Sequence, residues 1–553
     1  LSKGAAGSAQ PISVVHGGGL VAVVALAHAG GDRSGWVGRA PRSQARAFFA
    51  LLLLGSALAD CSVGPDYVPE AAPTAKTFKE LKGWKVATPS DQLDRGDWWG
   101  LYHDPKLSTL IKQVEISNQN VAAQAAAYEQ ARATIREAQA QLFPVISATY
   151  NASRSYSGPN AGSASQLVTG APLGKYSSTY TPGFSGTWDL DVWGQVRRQI
   201  ESNASSAQVN AADLANVKLS QQALLATAYF NMRASDSLYD LLVRTAQQYQ
   251  KTLDIVRNQF KAGYSVTSGD VATAEAQLFT AQAQAHNAAL QRAQYEHAIA
   301  MLIGRPPDEL TIAPHLLGGS IPRIPVAVPS ALLERRPDVA AAERAMQQQN
   351  ALIGVAVAGY FPQISLSALF QWTSGAKPLP FNVTNEVWSL GAAGTQVLFD
   401  GGLHGAEVDA ARATYWQAVA TYRQTVLTAL QGVEDQLVAI HQLTQALALQ
   451  QRAVKDAQTA VDVYLNQFQA GTVAFTTVVT AEITLLADQE TELTYRQDLF
   501  LASVTLIEDL GGGWDTNLLP TKKELEQDIS LLPQLPPNEP TLRLMWPFGD
   551  ANH

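Results

Sequence analysis

Asn258-Gln259-Phe260-Lys261-Ala262-Gly263 is matched, 208 positions later, by Asn466-Gln467-Phe468-Gln469-Ala470-Gly471. Working outward, Thr273-Ala274-Glu275 returns as Thr480-Ala481-Glu482 and Ile303-Gly304 as Leu510-Gly511, both 207 apart. Leu142-Phe143-Pro144-Val145-Ile146-Ser147 returns as Tyr360-Phe361-Pro362-Gln363-Ile364-Ser365, 218 apart. Blocks that recur in one order with unequal gaps mark a tandem duplication with loop insertions, so each half carries the same elements.

The quoted block closes a rod. From Gln195 to Phe260 there is neither proline nor glycine, and at 1.5 Å per residue this helix is on the order of 100 Å long. Tyr239, Ala246, Leu253 and Phe260 hold one heptad position, with Leu242, Tyr249 and Val256 between them. The second repeat keeps this register through Ile440, Leu447, Val454, Val461 and Phe468, with Leu443, Ala457 and Tyr464 between. Such stripes are the seams of helical hairpins. Ala-Gly ends both rods, and second helices return from about Thr267 to Leu302 and from about Phe475 to Leu510. Each repeat also opens with a helix. The first starts at Asp104-Pro105 and is expected to run to about Leu142; the second starts near Asp338, read as its cap, and runs to about Tyr360. Phe-Pro ends both.

After each Phe-Pro the period changes to two. Ile146, Ala148, Tyr150, Ala152 and Tyr156 oppose Ser147, Thr149, Asn151, Ser153 and Ser155. Tyr176, Tyr180, Phe184, Trp188, Leu190 and Val192 alternate with hydroxyl residues and with Asp189 and Asp191. In the second repeat Ile364, Leu366, Ala368, Phe370 and Trp372 oppose Gln363, Ser365, Ser367 and Gln371, and Trp388 to Leu398 gives a fourth strand. Strands of about ten residues, aromatic on one face and wet on the other, suit a transmembrane barrel. Four strands cannot close one, and an open edge is not tolerated in lipid, so the barrel must be shared between chains.

Composition bounds the rest. The chain carries a net charge of -9 and a pI near 5.5 without a basic tract, which argues against nucleic acid. Cys61 is the sole cysteine, so no intrachain disulfide forms. Before it come Arg42, Arg46 and about thirteen apolar or small residues from Ala47 to Ala59, a secretory signal pattern. This junction resembles a bacterial lipoprotein, which implies cleavage before Cys61 and acylation of its thiol, although Asp60 stands where such lipoproteins carry a small residue. Residues 42–60 are read as the signal. Residues 1–41, opening on Leu1, are read as an upstream or artefactual segment and set aside.

Cys61-Ser62-Val63-Gly64-Pro65-Asp66-Tyr67, Asp104-Pro105-Lys106-Leu107 and above all Leu333-Glu334-Arg335-Arg336-Pro337-Asp338-Val339, followed by Ala342-Glu343, Ile353-Gly354 and Phe361-Pro362, resemble the TolC-like outer membrane efflux factors. Within that family they resemble the lipoprotein, NodT-type branch serving RND multidrug pumps. The likeness spans residues 61–515. It implies a mainly α protein with a transmembrane β part, and a homotrimer with a twelve-stranded barrel and a periplasmic α-helical barrel. It further implies a passive duct for drugs or other small molecules, fed by a periplasmic adaptor and an inner membrane RND pump, with outer membrane lipid around the barrel. Residues 61–103, 304–337 and 511–553 would form an equatorial belt between repeats at 104–303 and 338–510.

No enzyme is expected: there is no metalloprotease, P-loop or nucleophile-elbow motif, and the nine histidines lack ligand spacing. No cofactor is expected beyond lipid on Cys61. The resemblance places the gate and the adaptor contact at the tips, with Gly263 and Gly471 at the turns, Asp270 ringing the pore and Phe475 as an apolar constriction or as hairpin packing. Asp189 and Asp191 are expected in the barrel lumen. Two other readings stand: an exit duct for type I protein secretion, and a lipid-anchored coiled-coil spacer that conducts nothing.

Overall fold

The computed structural model describes residues 62–71, 78–80, 97–158, 175–264, 266–319, 321–322, 324, 335–375 and 383–527; the expectations for Cys61, the signal segment and residues 1–41 lie outside them. Asp104 starts the first helix, α1 (Pro105–Ser117), by accepting the backbone N–H groups of Lys106 and Leu107 at 2.9 and 3.0 Å. The helix does not run through to Leu142. Asn118 breaks it in an extended conformation, its side-chain oxygen accepting from Asn120 and Val121 to start α2 (Gln119–Ala140). Its amide also donates to the Leu302 carbonyl at 2.7 Å, so a polar side chain buried in the core is fully used.

β1 (Val145–Ser157) and β2 (Lys175–Leu190) follow, then the rod α3 (Gln195–Lys261) and its return α4 (Ser268–Leu302). The second repeat gives α5 (Pro337–Ala358), β3 (Gln363–Trp372), β4 (Glu386–Thr395), the rod α6 (Leu403–Gln469) and its return α7 (Phe475–Asp509). A short α8 (Lys522–Glu526) closes the described chain. Asp338 is not the cap of α5. It lies in the first turn and grips Arg336 at 2.8 Å, while Arg336 also reaches the Asp509 carboxylate at 3.1 Å. The guanidinium thus ties the start of α5 to the end of α7.

All described residues belong to one unit, 60–553. Its largest core lies where α1, α3, α4, α6 and α7 meet, around Leu107, Ile111, Leu225, Tyr229, Met232, Ile299, Leu437 and Ile507. Trp98 is sealed into this core with its indole N–H on Gln222, and Phe230 stacks on Phe500 at 4.8 Å. A smaller core fills the tips, where Tyr249, Leu253, Val256 and Leu278 meet Phe468, Phe475 and Val478. The heptad stripe is only partly buried. Leu242, Ala246, Tyr249, Leu253 and Val256 are enclosed, whereas Tyr239 and Phe260 remain 44% and 47% exposed. A straight helix drifts about 20° per heptad against a 3.5-residue repeat, so the ends of the stripe rotate out of the seam.

Candidate functional site

The four strands form one antiparallel sheet in the order β1-β2-β3-β4, and among the described residues neither outer edge is paired with another strand. Val145 pairs with Thr187, Gly183 with Gln371 and Gln363 with Thr395, so even-numbered residues of all four strands share one face. That face carries Ile146, Tyr150, Tyr156, Tyr176, Tyr180, Phe184, Trp188, Leu366, Phe370, Trp388 and Leu390. The other carries Ser147, Thr149, Asn151, Ser153, Thr181, Ser185, Thr187, Asp189, Ser365, Ser367 and Ser389. The period of two in each strand has become a continuous surface. None of the described residues covers its β4 end: Trp388 is 66% and Leu390 76% exposed. One cation interrupts the aromatic face, Arg154, which lies over the Tyr176 ring at 5.1 Å.

Where β2 turns into α3, the two aspartates part company. Asp189 stands on the hydroxyl face of β2. Asp191 lies beyond the strand, where its carboxylate accepts the backbone N–H groups of Val196 and Arg197 at 3.0 Å and pairs with Arg197 Nε at 3.2 Å. It caps the start of α3 and is nearly buried, a placement different from the lumen position expected of it. Asp400 does the same for α6, accepting from Gly402 and His404 at 2.8 and 2.9 Å. The recurrent aspartate before a glycine at each rod's start was the signal available in the sequence. Trp193 locks the corner across the repeats, stacking on Phe361 at 4.8 Å and donating to the Pro362 carbonyl at 2.7 Å.

The segment following Cys61 is sewn to this corner. Val63 donates its N–H to the Trp193 carbonyl at 3.1 Å, Arg198 reaches the Val63 carbonyl and Asp66, and Asn350 donates to the Pro65 carbonyl. Gly64 lies so close that a Cβ there would meet Gly354 Cα at 2.4 Å.

At the tips Gly263 and Gly471 take positive φ, 77° and 73°, which L side chains rarely adopt. Asp270 completes a capping box: its carboxylate accepts the N–H and hydroxyl of Thr267, both at 2.8 Å, and its own N–H donates back to Thr267. The second tip has no such box, since Ala474 stands at its cap. Phe475 is 3% exposed and lies 5.4 Å from Phe468 in the hairpin core. Of its two expected roles, these contacts are those of hairpin packing. Glu482, passed over in the sequence, is buried between the hairpins, one oxygen accepting from the Thr252 hydroxyl at 2.8 Å.

Among the described residues no cluster of His, Cys, Asp or Glu is arranged for a metal, and no helix is long and apolar enough to cross a membrane. The family model for outer membrane efflux proteins matches residues 110–305 and 328–512, both repeats. The chain belongs to the outer membrane efflux protein family. A curated relative, the pyoverdine export outer membrane protein OpmQ of Pseudomonas aeruginosa, is 30% identical over 484 residues, covering 85% of this chain and 96% of that one. The cation efflux system protein CusC of Escherichia coli is 26% identical over 463 residues, covering 83% and 97%. Among solved structures, the outer-membrane channel OprN superposes with a TM-score of 0.75 at 26% identity, covering 82% of this chain and all of that one. As an outer membrane efflux protein the chain is a channel component of an efflux system in the outer membrane, and not an enzyme.

Proposed function

We propose that three copies of this chain place their sheets edge to edge and close a twelve-stranded barrel, the helical hairpins continuing it as a tunnel through the periplasm. The sheet's register supports this: one aromatic face broken by the single cation Arg154, one hydroxyl face, and two edges that need partners in lipid. The aromatic face meets outer membrane lipid, and Asp189 lines the lumen. The duct is passive. A periplasmic adaptor docks at the tips around Gly263 and Gly471, an inner membrane RND pump supplies the energy, and a ring of Asp270 carboxylates lies at the entrance. Drugs or other small molecules are the cargo.

We also read Cys61 as acylated. The hydrogen bonds on Val63, Pro65 and Asp66 hold the segment that follows Cys61 against the corner beyond the ends of β2 and β3, which suits an anchor at the residue before it. Two or more acyl chains there give stable attachment where one is marginal.

Reconstitution of the full-length protein into planar bilayers tests the duct. Ion conductance is expected, with Asp189→Lys shifting selectivity toward anions while leaving channel formation intact. A folded, inserted protein that carries no current would overturn the reading.

A further inference from the structure

Glu275 and Glu482 hold matching places in the two repeats, yet their surroundings differ. Glu275 on α4 pairs with Arg257 on α3 at 2.6 Å. The residue matching Arg257 in the second rod is Leu465, so Glu482 on α7 has lost its cation. It turns instead toward the other hairpin, where Thr252 on α3 donates to Oε1 at 2.8 Å and Tyr249 donates to its backbone carbonyl at 3.4 Å. Oε2 is buried and has no hydrogen-bond partner among the described residues. A carboxylate so placed is costly, while a carboxylic acid is tolerated.

We propose that the Glu482–Thr252 contact is a proton-operated latch between the two helical hairpins, closed while the Glu482 carboxyl group is neutral and released when it ionises. The contact borders a groove of about 620 Å³ between α3, α6 and α7, which gives water a route to the released proton and to the new charge. Charged groups surround this groove without compensating Glu482. On α3, Arg244 pairs with Asp240, and Lys251 lines the wall; α6 contributes Asp462; on α7, Arg496 pairs with Glu492, and Glu490 lies a further two turns up; on α4, Glu275 is held by Arg257. Tyr249, facing it from α3, is itself pushed up by burial and stays neutral.

Burial raises the Glu482 carboxyl from its ordinary 4.5 to about 7, partly opposed by the Thr252 hydrogen bond. The sign follows from linkage: the packed state binds the proton more tightly, so packing is strongest below about pH 4.5 and weakens as pH rises through about 7. Each unit of difference is worth about tenfold in the opening equilibrium.

The latch stands independently of the duct reading, and its test needs no transport. Amide hydrogen exchange of the detergent-solubilised full chain is followed over residues 246–256 and 478–486 at about pH 5.5 and about pH 8, with rates corrected for intrinsic chemistry. Opening should rise at least about tenfold at the higher pH. Glu482→Gln should stay closed at both, and Leu465→Arg, which restores the first repeat's cation, should also lose the pH dependence. Equal protection of the unaltered chain at the two pH values would overturn the proposal, as would an undiminished pH response in the folded variants.

Discussion

Gly64 and Gly354 meet backbone to backbone, with so little room that a Cβ on Gly64 would stand 2.4 Å from Gly354 Cα and one on Gly354 would stand 2.9 Å from Arg198 Cγ. Two glycines from distant parts of the chain therefore hold the segment after Cys61 against α5 and α3. Gly64 also takes φ +103°, which adds backbone strain to any substitution there. Gly354→Ala should destabilise this junction by roughly 1–3 kcal/mol. Limited proteolysis checks it: the N-terminal segment should be cut faster in the variant, and an unchanged cleavage pattern with an unchanged melting temperature would refute the close-approach argument.

The strand-to-rod corner makes a second test. Asp191 satisfies two backbone N–H groups at the start of α3 and holds Arg197, so Asp191→Ala should cost about 1–2 kcal/mol through the lost cap and ion pair. Thermal denaturation measures this. A variant of unaltered stability but altered ion selectivity would return Asp191 to the lumen.

Phe475 and Asp270 separate packing from gating at the tips. Phe475→Ala opens a cavity in the cluster of Val256, Leu278, Phe468 and Val478, and about 3–5 kcal/mol of local stability should be lost. The expected readout is faster amide exchange on both sides of the second turn; higher resting conductance with undisturbed exchange would instead restore the constriction. At the first tip Asp270→Asn should lower cation preference in the reconstituted channel. It should also weaken the capping box by about 0.5–1 kcal/mol. Unchanged selectivity would leave Asp270 with its capping role alone.

Mass spectrometry of the processed N-terminus checks the anchor. Acyl chains on Cys61 are expected, and an unmodified thiol or cleavage at another bond would exclude it.

What the sequence made legible depended on period and repetition. The absence of proline and glycine from Gln195 to Phe260 announced a rod that runs Gln195–Lys261, and the alternation after each Phe-Pro announced four strands. Their common aromatic face needed the register, which no single strand carries. The break at Asn118 was hidden because asparagine is tolerated within helices, and the partners that hold its side chain across the core, Gln221 and the Leu302 carbonyl, are distant in sequence. Asp191 looked like the next residue of an alternating strand, whereas Gly194, at positive φ, had already turned the chain into α3. Phe475 sat beside a turn where gate and packing residues share the same spacing; burial alone distinguishes them. Glu482 escaped notice because its meaning lies in a missing partner, Leu465 standing where the first repeat has Arg257.

The shared barrel is tested most directly by the mass of the folded protein extracted from membranes, measured by light scattering with the detergent contribution subtracted. The free edges of β1 and β4 predict a single species of three chains, with no stable inserted monomer. A folded single chain that inserts and conducts would contradict it.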